Sequence, residues 1–322
     1  SVALLEKAQF LFLDGANPAY TLPAATGVAR HLSRVETMVS FSPLLDDSGA
    51  YADLLLPDHH LLETAAVVVP PVAPGMAVTL ATPFVQPLYD TRPLDQVLAE
   101  LAQKLEVEFE RPVPKAVASS LLPEGLSWDD ATRQGGIWAT PEAPQPPKLP
   151  KPAAAVELAG PVFAGDVQQF PLLFQPYLSL QYHDGRGAHL PWMQELPDPV
   201  SSAMWTLPVE LDPRTAGQAG IRNGDLVRVE SAHGTLEAPA YVHPAAIPGV
   251  ASMGIGEGHR NYSRFASGRG ANPLAILAPV WDKTTGALVL GGTRVRVTRL
   301  GPRGLLAQFA PNDREHNPFS HR

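Results

Sequence analysis

Apolar and polar positions follow different rhythms along this chain, and each rhythm predicts a different kind of structure. The run Gln9-Phe10-Leu11-Phe12-Leu13 stops at Asp14-Gly15-Ala16-Asn17-Pro18, the pattern of a short buried strand broken by a turn. Residues 21–34 read as a short helix, with Thr21 as its cap and Pro23 early, where proline is tolerated. Thr37-Met38-Val39-Ser40-Phe41 is a second strand; a turn at 48–51 and a third strand at Asp53-Leu54-Leu55-Leu56-Pro57 follow. Over 93–105, Leu94, Val97, Leu98, Leu101 and Leu105 recur at helical spacing and define one apolar face. Strands alternating with helices predict a parallel sheet.

From 166 onward the pattern is mostly β. The predicted strands are 169–175, 205–211, 226–231, 235–241, 250–253 and 293–299, and 225–230 alternates as a half-buried strand does. Turn residues separate these runs at short intervals, which favours a closed barrel over a sandwich of long strands. Asp212-Pro213-Arg214-Thr215-Ala216 opens a short helix that ends at Gly220. Between the two regions, half the positions from 141 to 152 are proline, an extended spacer stiffened by polyproline geometry. The predicted organisation is an α/β domain over 1–105, a Pro-rich linker over 106–165, a mainly-β barrel over 166–302 and a polar tail over 303–322.

Composition narrows the chemistry. With 322 residues the chain can hold two domains with cores. A formal net charge of −8 argues against nucleic-acid binding. No cysteine is present, so no thiolate zinc site, Cys nucleophile or Cys-ligated iron–sulfur cluster is built from this chain, and no haem ligation is expected of it either. No apolar run reaches transmembrane length. The start at Ser1, with neither Met nor a basic region, suggests a mature, cleaved or split product.

Most of the candidate chemistry lies in Gly254-Ile255-Gly256-Glu257-Gly258-His259-Arg260-Asn261-Tyr262-Ser263-Arg264-Phe265 and Gly268-Arg269-Gly270-Ala271-Asn272-Pro273. Glycines let backbone N–H groups approach a ligand, and arginines, a histidine and an asparagine supply directional donors. Such a loop can grip a pterin or a pyrophosphate; equally, its glycines can be barrel turns and its arginines partners of surface carboxylates. Asp184-Gly185-Arg186-Gly187-Ala188-His189 is a second glycine-rich turn that can face the same ligand or a neighbouring subunit. His59 and Glu63 are spaced as a metal pair on a helix, but no third ligand accompanies them, and Pro57-Asp58 suggests a helix start instead. Asp46, Asp47 and Asp53 read either as acid–base carboxylates or, with Ser48, as a solvated turn and a sheet-edge acceptor.

These residues resemble a known family. Asn17-Pro18 and Ala52-Asp53-Leu54-Leu55-Leu56-Pro57 with Glu63 resemble the third domain of molybdopterin oxidoreductases. Pro208-Val209-Glu210-Leu211-Asp212-Pro213 with Ala219-Gly220-Ile221-Arg222-Asn223-Gly224-Asp225-Leu226-Val227-Arg228-Val229 resembles the fourth, a double-psi β-barrel that closes over molybdopterin guanine dinucleotide. Leu88-Tyr89-Asp90-Thr91-Arg92-Pro93, Asp184-Gly185-Arg186-Gly187 and Leu190-Pro191-Trp192-Met193-Gln194-Glu195-Leu196-Pro197-Asp198-Pro199 are similar to menaquinone-linked members, among them menaquinone reductase and alternative complex III. The resemblance implies the C-terminal half of a catalytic-type subunit, peripheral on the periplasmic side of the bacterial inner membrane. Its implied partners are an N-terminal half or companion subunit of the same fold, an iron–sulfur subunit, and cytochrome c and quinone-binding membrane subunits. It also implies that Gly258, His259, Asn261, Arg264 and Arg269, with Asp184 and Arg186 facing them and Asn17 and Asp53 from the α/β side, would contact such a cofactor. The iron–sulfur site and the molybdenum ligand of the family lie upstream of anything matched here, and Glu63 falls on a family position that is not a metal ligand. Asn261 stands where Thr is common and Ser263 where Gly is common. Three expectations follow: a cofactor-poor structural subunit as in alternative complex III, a cofactor-bearing half of a molybdenum or tungsten bis-pterin enzyme, or a barrel adaptor unrelated to redox chemistry. In none is the chain active alone.

Overall fold

A computed structural model of the chain describes residues 2–68, 77–109, 122, 125–138, 160–302 and 306–309. They form two compact units, one of residues 1–40, 44–54 and 160–322 and the other of 41–43 and 55–159. The sequence-based division places 1–40 apart from the barrel, whereas by contacts these residues share its unit.

In the first unit, Phe10–Leu13 (β1) runs parallel to Thr37–Ser40 (β2), as the alternation predicts. Leu54–Leu55 (β3) comes third in the sheet order, where the chain leaves the unit. Leu13, Val28, Leu32 and Met38 bury against one another beneath it. The single helix expected over 21–34 is instead two short ones, Pro18–Thr21 and Val28–Leu32, around a tight turn at Ala24–Thr26. Leu22 is extended (φ −103°, ψ 147°) because the ring of Pro23 excludes helical backbone at the residue before it. Thr21 therefore ends the first helix rather than capping a longer one, and Pro18 opens it.

In the second unit, Ala66–Val68 (β4), Ala77–Ala81 (β5) and Gly136–Trp138 (β6) form an antiparallel sheet in that order. The helix predicted from the Leu/Val spacing is present at Leu94–Lys104. A further helix, Trp128–Arg133, is capped by Ser127, whose hydroxyl accepts the Asp130 N–H at 3.1 Å. Ala131 from this helix and Ile137 from β6 pack on Val78. Part of the span expected as linker is thus folded, because its Ser127 cap and apolar Ala131 and Ile137 give it something to bury. The proline-rich stretch 141–152 and the tail from 310 lie outside the described residues. No helix forms at His59–Glu63; residues 57–60 have no regular structure and 61–63 form a turn.

The barrel completes the first unit. Its elements are Leu172–Leu178 (β7), Ala203–Met204 (β8), Val209–Leu211 (β9), Leu226–Ser231 (β10), Gly234–Val242 (β11), Val250–Ile255 (β12), Thr293–Gly301 (β13) and Ala307–Gln308 (β14). Six of them close in the order β10-β11-β9-β12-β7-β13, with β13 returning to β10. β11 with β9 and β12 with β7 are parallel pairs, and the others are antiparallel. β8 and β14 make a separate ribbon. Each of the six strands predicted beyond 166 overlaps one barrel strand. Alternate residues of each point inward, and Phe174, Val209, Leu211, Val227, Val229, Ala251, Met253 and Val295 fill the interior. Arg299 on β13 donates to both oxygens of Asp225, at 2.6 and 3.0 Å, just before the register shift where β10 meets β13. Asp212 caps the helix Pro213–Gln218 by accepting the Arg214 N–H at 3.0 Å.

Phe174 is fully buried, so Phe174→Ala is expected to destabilise this unit by about 3–5 kcal/mol in denaturant unfolding. Ile247 of the same unit is 67 % exposed, and Ile247→Ala is expected to stay within about 0.5 kcal/mol of the parent.

Candidate functional site

The glycine-rich loop leaves β12 at Ile255 and folds back on itself. Gly258 has φ 85°, and a Cβ at that position would collide with the backbone of Ala271 and Asn272, so only glycine lets the two arms of the loop meet. The Gly258 N–H donates to the Arg269 carbonyl and the Gly268 N–H to the His259 carbonyl, both at 2.8 Å. A four-residue helix, Ser263–Ala266, forms the tip. Ser263 sits at φ 61°, in the left-handed region that favours glycine, which gives a physical reason for glycine at this position.

Under the loop lies a buried ionic cluster that joins it to the α/β segment. Asp47 is 6 % exposed and His259 2 %. The His259 Nδ1 lies 2.6 Å from Asp47 Oδ2. Asp47 Oδ1 accepts the backbone N–H groups of Arg260 at 2.6 Å and Asn261 at 3.1 Å. Asn17 Nδ2 donates to Asp47 Oδ2 at 3.2 Å, while Asn17 Oδ1 accepts the Ser48 N–H and hydroxyl at 3.0 and 2.8 Å. Burial alone pushes the Asp47 carboxyl up, but the bond to His259 and the two amide donors outweigh it and hold the group below its ordinary value. Asp46 closes the same turn by accepting the Gly49 N–H at 2.6 Å. The turn at 46–48, expected to be solvated, is therefore buried, because its carboxylates meet donors rather than water.

Tyr20 covers the other face of the imidazole. The two rings stack at 3.7 Å with an 11° tilt, and the Tyr20 hydroxyl donates to the Glu257 carbonyl at 3.1 Å. Tyr262 leans on the same imidazole at 4.7 Å and donates its hydroxyl to the Arg186 carbonyl at 2.8 Å. His259 Nε2 lies 3.3 Å from the Gly185 carbonyl. Both ring nitrogens thus face acceptors. Asn272 ties the far arm down by donating to the Tyr20 carbonyl at 2.7 Å.

The structure brings Gly258, His259, Asn261 and Asn17 together around Asp47, with Asp184 and Arg186 on the adjoining turn. Arg186 grips Asp184 through Nε at 3.0 Å and Nη2 at 2.7 Å. Asp53 lies elsewhere: its carboxylate accepts the Met38 N–H at 2.8 Å and serves the sheet. Arg264 and Arg269 are exposed, with Arg264 over the Phe265 ring at 4.7 Å. Asp47, Tyr20 and Glu257 were not singled out from the sequence as cofactor contacts. The only sequence signal was the pair of adjacent acids before a Ser-Gly turn, and nothing local links it to a loop more than 200 positions on.

In the second unit, Glu63 accepts the N–H groups of His60 and Leu88 at 2.9 and 2.8 Å, and His59 Nδ1 pairs with the Thr91 hydroxyl at 2.6 Å. Among the described residues no group of three His, Cys, Asp or Glu side chains could hold a metal ion.

A fit test for a dinucleotide follows from the amides. In a loop that grips an anion, consecutive N–H groups converge on it. Here the amides of Arg260 and Asn261 converge on Asp47, and those of Gly258 and Gly268 on carbonyls of the loop itself. The arginine heads at the rim remain open, but these amides are already engaged. Asp47→Asn is expected to cost about 2–4 kcal/mol near neutral pH, measured by denaturant unfolding, because His259 then faces an uncharged amide across a buried pair. A carboxyl whose folded value is depressed stabilises above its unfolded value, near pH 4, and loses that contribution as pH falls through the folded one. The gap between parent and variant should accordingly shrink below about pH 4.

Residues 193–288 match the family described as Molydopterin dinucleotide binding domain. Among curated proteins, the chain is 26 % identical over 300 residues to the "Menaquinone reductase, molybdopterin-binding-like subunit" of Nitratidesulfovibrio vulgaris, covering 88 % of this chain and 41 % of that one. It is 31 % identical over 144 residues to the arsenate respiratory reductase molybdopterin-containing subunit of Shewanella sp. ANA-3, covering 42 % of this chain and 17 % of the relative. Among solved structures, acetylene hydratase from Pelobacter acetylenicus superposes with a TM-score of 0.70 at 16 % identity, covering 93 % of this chain and 46 % of that one, which establishes the fold alone. The chain thus spans less than half the length of these proteins. The domain match and these relatives support a C-terminal part of a molybdopterin-oxidoreductase-type polypeptide.

Proposed function

We propose that this chain is the C-terminal portion of a molybdopterin-oxidoreductase-like subunit in a quinone-linked membrane electron-transfer complex, and that its loop region serves as structure rather than as a cofactor grip. The observation that carries this reading is the Asp47 carboxylate on the amides of Arg260 and Asn261. In this reading a side chain of the protein occupies amides that a ligand anion would otherwise use. The mutual pairing of Asp184 and Arg186 supports the same reading, as does the likeness to a subunit named molybdopterin-binding-like. In this proposal the barrel is of the double-psi kind, 1–105 and 166–302 act as the two family domains, and the complex works on the periplasmic side. Its companions would be an iron–sulfur subunit, cytochrome c and quinone-binding membrane subunits, and a polypeptide carrying the rest of the fold. No described helix is long and apolar enough to cross a membrane.

One observation favours a second reading. The side chains of Arg260, Arg264 and Arg269 are exposed and, among the described residues, make no hydrogen bond or ion pair. Together with the domain match, this supports a cofactor-bearing subunit whose arginines reach a guanosine or pterin. The bound group would then carry the redox chemistry, and this chain would orient it.

Metal and nucleotide analysis of the purified native complex separates the two. The structural reading predicts iron and haem with neither molybdenum, tungsten nor released guanine nucleotide. Stoichiometric metal with guanine nucleotide overturns it, and Arg264→Ala should then lower cofactor occupancy in the assembled complex.

A further inference from the structure

Glu257 is the acid in the loop that neither reading uses. It is 5 % exposed. Among the described residues its carboxylate takes one hydrogen bond, from the Leu207 N–H to Oε2 at 2.8 Å, and no ion pair. Gly270 lies over it so closely, at φ 58°, that a Cβ there would collide with the carboxylate. From the neighbouring elements, the charged and titratable groups that face it are few. The segment after the loop's short helix contributes Arg269, whose head is exposed. The turn after β7 contributes Tyr182, and the helix Pro18–Thr21 contributes Tyr20. The Tyr20 hydroxyl is committed to the Glu257 carbonyl, whereas the buried Tyr182 hydroxyl has no hydrogen-bond partner among the described residues. The segment before β9 offers only the Leu207 amide.

We propose that Glu257 is a protonation switch for the 256–270 loop: as a neutral acid it packs beneath Gly270, and on releasing its proton to solvent it draws the Arg269 guanidinium and the Tyr182 hydroxyl onto its carboxylate. The geometry allows this with little backbone motion. The Arg269 carbonyl is held by the Gly258 N–H, so only the side chain has to swing. A buried carboxylate without a cation is strongly disfavoured, while an exposed, unpaired guanidinium close by is the group best able to relieve it. Burial pushes the Glu257 carboxyl up to about 7, against the opposing pull of the Leu207 N–H and Arg269. The sign follows. A carboxyl raised in the folded state contributes stability that is complete below its unfolded value, near pH 4.3, and is lost as pH rises through about 7.

The test is thermal unfolding of the full chain between about pH 5 and pH 8.5 for the parent, Glu257→Gln and Arg269→Ala. The parent should lose stability relative to Glu257→Gln as pH rises through this window and level off near 7. Removing Arg269 should move that levelling-off to higher pH. Parallel pH profiles for parent and Glu257→Gln would overturn the switch, and an unmoved levelling-off in Arg269→Ala would overturn the role of the guanidinium. If Glu257→Gln does not fold, the infrared carbonyl band of a protonated carboxyl is followed instead in the parent and Arg269→Ala. A band that disappears near neutral pH in the parent, and at higher pH in Arg269→Ala, supports the proposal; no such band in the parent, or the same midpoint in both, contradicts it.

Discussion

The buried charge of Asp47 is the constraint from which the rest of the site follows. A carboxylate removed from water is tolerated only where donors surround it. Here the donors are the His259 ring, the amides of Arg260 and Asn261, and the Asn17 side chain. Each imposes a further condition. The ring must lie flat, so Tyr20 stacks on it. The two amides must point inward, so the loop must bend at Gly258, where a side chain has no room. Asn17 must present its amide edge-on, and the Ser48 hydroxyl and N–H fix that orientation.

This arrangement explains how one loop can look like a ligand grip and be built as a clamp. Glycines that permit close approach of a phosphate also permit close approach of a carboxylate from the same chain. The two uses share their backbone and differ in what arrives at the amides. The outer rim differs from the interior. Inside, most polar groups are matched; outside, the guanidinium heads of Arg260, Arg264 and Arg269 are exposed.

The fold was legible wherever burial had a period. Each barrel strand was visible because alternate residues fill one interior, and the 94–104 helix because its leucines repeat at helical spacing. The helix expected over 21–34 failed at Leu22, where the clash with Pro23 outweighs an apolar pattern too short to oppose it. The helix and strand at 128–138 were hidden by proline-rich flanks that dominate the composition of that stretch. The site was half legible. Gly258, His259 and Asn261 stood out by residue type and Asn17 by the family resemblance, and the four converge on Asp47. Their organising partner, Asp47, lies 212 positions from His259, and no local rule connects the two. Tyr20 and Glu257 were equally silent, because stacking and burial are properties of the assembled fold.

The most direct test is an experimental structure of the native complex, read at the amides of Arg260 and Asn261. The account predicts Asp47 Oδ1 as their acceptor, with His259 paired behind it and no ligand oxygen on the loop. A phosphate or pterin oxygen on those amides, with Asp47 turned away from them, would contradict it.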